Sequence, residues 1–155
     1  MNLLKRLVLV SAFLFSASAM AQPGVFSITV NKPMTVIYND VYTSLEDAGF
    51  YVVFEPNIGK NLAQFAKKWG ADYNKNKLTG LRSMVFCNGW YANQVSNLDP
   101  MMLGFCPLHL SLIERKGKTT ILFNRLSVFA RGSKAQPLFK KIESEVIAAI
   151  KAGLK

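Results

Sequence analysis

Two β-rich runs, Leu108–Glu114 and Thr119–Phe123, flank the basic tetrapeptide Arg115-Lys116-Gly117-Lys118. Runs of this kind, joined by a tight turn that contains glycine, predict a β-hairpin. Strands joined that way are antiparallel, so a sheet built only from parallel β-α-β units is excluded. The other elements have to be arranged around this hairpin.

Upstream, residues 24–31 (GVFSITVN) alternate apolar and polar side chains and predict a first strand. Pro33 suits a first helical position, and Met34, Val36, Ile37, Val41, Tyr42 and Leu45 recur at roughly helical spacing until Gly49 stops the helix. Phe50–Phe54 is β-branched and aromatic, a second strand. Lys60–Trp69 predicts a helix with Leu62, Phe65, Ala66 and Trp69 on one face, ended by Gly70. Residues 71–81 are polar and turn-rich. Ser83–Cys87 reads as a third strand, Gly89–Leu98 as a short helix closed by Asp99-Pro100, and Leu138–Leu154 as a terminal amphipathic helix. The order is β-α-β-α-β-α-β-β-α. Intermixed helices and strands with a late hairpin predict an α+β domain: a single two-layer α/β sandwich with a mixed sheet.

Residues 1–21 carry a different signal. Lys5-Arg6 precede a mostly apolar run from Leu7 to Phe15, and Ala19-Met20-Ala21 is a small-x-small ending. Those are the three parts of a cleavable secretion signal, and the run is too short to span a bilayer. The expectation is a periplasmic or secreted bacterial protein whose single domain occupies residues 22–155. Cleavage would remove two of the nineteen basic residues and none of the nine acidic ones, taking the formal charge from +10 to +8. That excess predicts attraction to anionic partners or a membrane surface, and export makes nucleic acid an unlikely partner.

Chemistry-bearing motifs are few. The chain has no G-x-S-x-G elbow, no H-E-x-x-H, no Gly-rich phosphate loop and no C-x-x-C, and its single histidine is His109. No catalytic residue is assigned. Attention falls on the only two cysteines, Cys87 and Cys106. In an oxidising compartment they predict a structural disulfide; two unpaired thiols, a redox-active pair or a metal site are the other states open to them. The metal reading would take Cu(I), with Cys87, Cys106, His109 and Met102 as soft ligands, although residues 106 and 109 on one extended strand point to opposite faces.

Two further groups stand out. Glu55, Trp90, Tyr91 and Asn93 are candidates to line a pocket near Cys87. Lys60, Lys67, Lys68, Lys75, Lys77 and Arg82, interleaved with Phe65, Trp69 and Tyr73, form a candidate basic surface. The plainer reading of that stretch is an amphipathic helix with a solvated lysine face and its aromatics in the core.

The stretch from Val85 to Pro100 (VFCNGWYANQVSNLDP), with Phe105–Glu114 (FCPLHLSLIE) and Gly117-Lys118-Thr119-Thr120 after it, resembles the DUF302 family. The resemblance spans roughly residues 28–130. It implies a compact α/β sandwich of the kind found in small bacterial proteins, often dimeric, and it supplies no enzyme activity or catalytic residue. Together these readings lead to an exported, non-catalytic binding or accessory domain, a homodimer, with Cys87–Cys106 bridged. A thiol-redox or copper-handling protein and a basic polyanion or membrane-surface binder are the alternatives.

Overall fold

The computed structural model describes residues 24–155. The expected secretion signal, residues 1–21, lies outside the described residues. Strands β1 (Val25–Val30), β2 (Tyr51–Phe54), β3 (Gly80–Cys87), β4 (Leu108–Arg115) and β5 (Lys118–Asn124) form one sheet in the spatial order β1-β5-β4-β3-β2. Every neighbouring pair is antiparallel. The α+β class holds, and the mixed sheet is corrected to an antiparallel one. β1 and β2 do run in the same direction, but three strands separate them. Helix α1 (Met34–Asp47) therefore connects the two edges of the sheet, not two parallel neighbours.

The hairpin closes as its composition demands. Arg115 pairs with Lys118, leaving Lys116 and Gly117 as a two-residue loop with φ of 51° and 70°. Two consecutive positive φ values match the right-handed twist of the flanking strands.

The remaining helices are α2 (Ile58–Ala63), α3 (Ala66–Trp69), α4 (Gly89–Leu98), α5 (Leu126–Phe129) and α6 (Gln136–Ala152). Alternation along the strands sends Met84, Phe86, Leu110, Leu112, Ile121 and Phe123 to one face of the sheet. There they share a single core with Ile37, Val41 and Leu45 of α1 and Phe139, Val146 and Ile150 of α6. The two helices touch closely where Gly153 succeeds α6: a Cβ there would come 2.7 Å from the Val41 Cα. Ser44 of α1 adds a hydroxyl bond to the Ala149 carbonyl at 2.9 Å.

The opposite face presents Ser27, Thr29, Leu81, Ser83, Val85, Ser111, Ile113, Thr120 and Leu122, with His109 beside Val85 and with Arg115 and Lys118 at the hairpin end. Its hydroxyls pair across strands, Ser83 with Ser111 and Thr29 with Thr120, each at 2.8 Å.

One expected helix divides. Lys60–Trp69 is split between α2 and α3, because the Phe65 amide bonds to the Leu62 carbonyl three residues back (3.0 Å) instead of continuing the four-residue pattern. The tighter turn rotates α3 relative to α2. β3 also begins at Gly80, three residues before the expected strand, and the 3₁₀ turn Pro100–Phe105 and α5 add structure that the periodicity does not show.

Candidate functional site

Between β2 and β3 the chain leaves the sheet for more than twenty residues, and none of residues 51–82 is buried. Local bonds hold this excursion in place. The Asn57 side chain accepts from the Lys60 amide at 2.9 Å and caps α2. Gly59 lets α2 lie against β3, since a Cβ there would meet the Leu81 backbone at 3.3 Å. Asn74 exchanges two 2.9 Å bonds with the Leu78 backbone and closes the turn. Thr79 fastens the returning chain to β4, its hydroxyl donating to Glu114 at 2.8 Å and its amide to the Glu114 carbonyl.

The excursion and the start of β3 enclose a half-open cavity of about 620 Å³, walled by Leu62, Ala63, Trp69, Tyr73, Leu78 and Leu81. Trp69 stacks on Phe65 with ring centroids 5.0 Å apart, and Tyr73 lies beyond it at 6.5 Å. The polar side chains of the lining are largely engaged already: Asp72 pairs with Lys75, Asn74 closes its turn, and Thr79 bonds Glu114. The surface facing the space is therefore mainly apolar and aromatic. Phe65 and Trp69 do not enter the core, as an amphipathic helix would require; they stay 46% and 39% exposed. Neither half of the divided helix buries a residue, and Leu62 ahead of the break is exposed as well.

Lys60, Lys67, Lys68, Lys75 and Lys77 are all exposed on the excursion. Arg82 departs from that group. Its guanidinium lies 3.6 Å from the centre of the Tyr38 ring and 3.8 Å from the Glu55 carboxylate, and Tyr38 donates its hydroxyl to Glu55 at 2.7 Å. Burial, then the bond to Glu55, pushes the Tyr38 phenol well above its ordinary range. Arg82 is thus tied into a structural cluster between α1 and the start of the excursion, and is removed from the basic surface.

The expected pocket of Glu55, Trp90, Tyr91 and Asn93 does not assemble. Glu55 sits beyond the far end of β2 with Tyr38, while Trp90 is 68% exposed and Asn93 is also exposed. Tyr91 stacks on Phe50 and donates to Glu145 at 2.7 Å. The helical turn carries position 91 onto the core, and leaves positions 90 and 93 outside it.

Cys87 ends β3, and Cys106 comes directly after the 3₁₀ turn. Both are half-buried free thiols, so the expected bridge is absent from this structure. They border one space of only about 10 Å³, together with Phe50, Tyr91 and Phe139. Burial, and then the neighbouring Cys87, pushes the Cys106 thiol up, which leaves less of the reactive thiolate. His109 projects instead from the exposed side of β4 opposite Val85, and borders a separate cleft with Phe105 and Asn124. Met102 packs against the core. Among the described residues no group of three or more His, Cys, Asp or Glu side chains is placed to hold a metal ion. The Cu(I) set is therefore not brought together: strand alternation sends His109 away from Cys106. Nor is any helix among the described residues long and apolar enough to cross a membrane.

The cavity itself escapes sequence reasoning. Its partial signal is the series Leu62, Phe65, Trp69 and Tyr73 beside a polar, asparagine-rich turn, apolar groups with no strand of their own to cover.

No curated protein matches the chain. Among solved structures, the crystal structure of an uncharacterized conserved DUF302 protein from Bacillus stearothermophilus is similar, with a TM-score of 0.72 at 19% identity. The match covers 84% of this chain and 98% of that one, and it speaks for the fold alone. The sequence pattern described as "Domain of unknown function DUF302" matches residues 26–155, nearly everything the structure describes. The chain belongs to the DUF302 family.

Proposed function

We propose that this chain is an exported, non-catalytic accessory domain that holds a small, largely apolar molecule between the excursion and the start of β3. The carrying observation is the cavity of about 620 Å³, whose polar lining groups are mostly satisfied from within. That volume falls in the range of about 300–1,000 Å³ usual for small-molecule sites, and its aromatic walls suit apolar contact. Export rests on the cationic, apolar and small-residue order of residues 1–21. A thiol-redox or copper role has less support, because the Cys106 thiol is pushed up by burial and His109 faces elsewhere.

Fluorescence offers a direct test. The chain has two tryptophans, so Trp90→Phe leaves Trp69 as the sole reporter in the cavity. Titration with the neutral probe N-phenylnaphthylamine should give saturable quenching of Trp69, and Trp69→Ala should weaken probe binding several-fold. Absence of saturable binding, or binding indifferent to Trp69→Ala, defeats the reading.

A further inference from the structure

We infer that the molecule held in this cavity is an amphipathic anion, a single-chain carboxylate with its apolar part among Leu62, Trp69, Tyr73 and Leu81 and its carboxylate drawn to the exposed lysines of the same segment. The inference rests on the proposed cavity site and adds a charge to the ligand. Its observation is the company the cavity keeps. Five lysines (60, 67, 68, 75 and 77) stand exposed on the segment that forms the wall, and Asp72 is the only acidic residue from position 56 to 98. Asp72 is already paired with Lys75. Among the described residues, Lys60, Lys67, Lys68 and Lys77 have no acidic side chain within ion-pairing distance.

Elsewhere the balance differs. Lys141 reaches Glu145, and Arg125 reaches Glu143. Uncompensated like charges on a short segment repel one another, and an anion placed among them relieves that repulsion. A mainly apolar cavity walled by a segment with such a charge excess fits a ligand that is apolar at one end and negative at the other. A polyanion would use the lysines and leave the cavity idle. A neutral apolar molecule would use the cavity and leave the lysines idle. A bilayer would meet the lysines but has no use for a concave site of this depth.

The test compares two ligands with one tail, decanoate and decanol, titrated calorimetrically into the purified protein below their micelle concentrations. At low salt decanoate should bind about tenfold more tightly, the advantage that a few exposed charge pairs supply. The advantage should shrink in high salt and in the triple variant Lys67→Gln, Lys68→Gln, Lys77→Gln, with decanol binding unchanged. Equal affinity for the two ligands at low salt overturns the inference and leaves the cavity reading standing. Failure of both ligands, together with failure of the neutral probe, brings down the cavity reading and the inference with it. Decanoate affinity undiminished by Trp69→Ala places the anion outside the cavity and overturns the inference. So does tight binding to phosphatidylglycerol vesicles by a protein that ignores decanoate.

Discussion

The inner layer of the sheet and the excursion between β2 and β3 are both rich in aromatic residues, and they use them in opposite ways. In the layer, Phe50, Phe86, Phe123 and Phe139 are buried, with Phe50 and Phe86 meeting edge to face at 6.1 Å. In the excursion, Phe65 and Trp69 stack on each other and remain substantially exposed. The first set works by filling volume in a close-packed interior. The second presents area to solvent beside a cavity, held by caps and turn bonds instead of by a core. A side chain of the same type therefore carries stability in one region and is free to carry recognition in the other.

The largest effect should come from the layer. Phe86→Ala empties the centre of the core and should cost ~3–5 kcal/mol, read as a lower denaturation midpoint. Binding of the neutral probe by the fraction still folded should be unchanged. A loss below ~1 kcal/mol would mean that the layer is not a close-packed core.

Tyr38 joins the two regions, being buried in α1 and bonded to Glu55 at the entrance to the excursion. Tyr38→Phe should cost ~1–2 kcal/mol at neutral pH through the lost bond to a carboxylate. Its pH dependence has a definite sign. The folded state holds the phenolic proton more tightly than the unfolded chain, whose tyrosine titrates near 10.0. This contribution is complete below about pH 10 and is lost as pH rises beyond it. Denaturant midpoints taken from neutral to strongly alkaline pH should fall less steeply in the variant than in the parent. A steeper fall in the variant would contradict the assignment.

The smallest effect belongs to the excursion. Phe65→Ser removes a large aromatic side chain yet should change stability by less than ~0.5 kcal/mol, as substitutions outside the core do. A core-sized loss there would erase the contrast between the regions.

Much of the layer is legible in the sequence. The hairpin arises from two β-rich runs and a Lys116-Gly117 turn, and α1 and α6 arise from apolar residues recurring at helical spacing and ending at glycine. The domain was readable as α+β, but the pairing of its strands was not. No local pattern says that β1 and β2 take opposite edges, because that depends on which partners β4 and β5 accept. The candidate site was less legible still. The lysines and aromatics of residues 60–77 stand out by composition, but their arrangement turns on the single tight turn at Leu62–Phe65. The cysteines drew attention through their chemistry, and the structure packs them around a space too small for a ligand.

By itself, then, the sequence determined the identity and order of most elements and the positive charge. These rest on properties of neighbouring residues: periodicity, turn chemistry and side-chain ionisation. Tertiary structure alone decided the antiparallel order of the sheet, the separation of His109 from Cys106, the removal of Arg82 to Tyr38 and Glu55, and the cavity. Each of these depends on contacts between residues far apart in the chain or on how one element leaves the sheet, and local pattern does not specify such contacts.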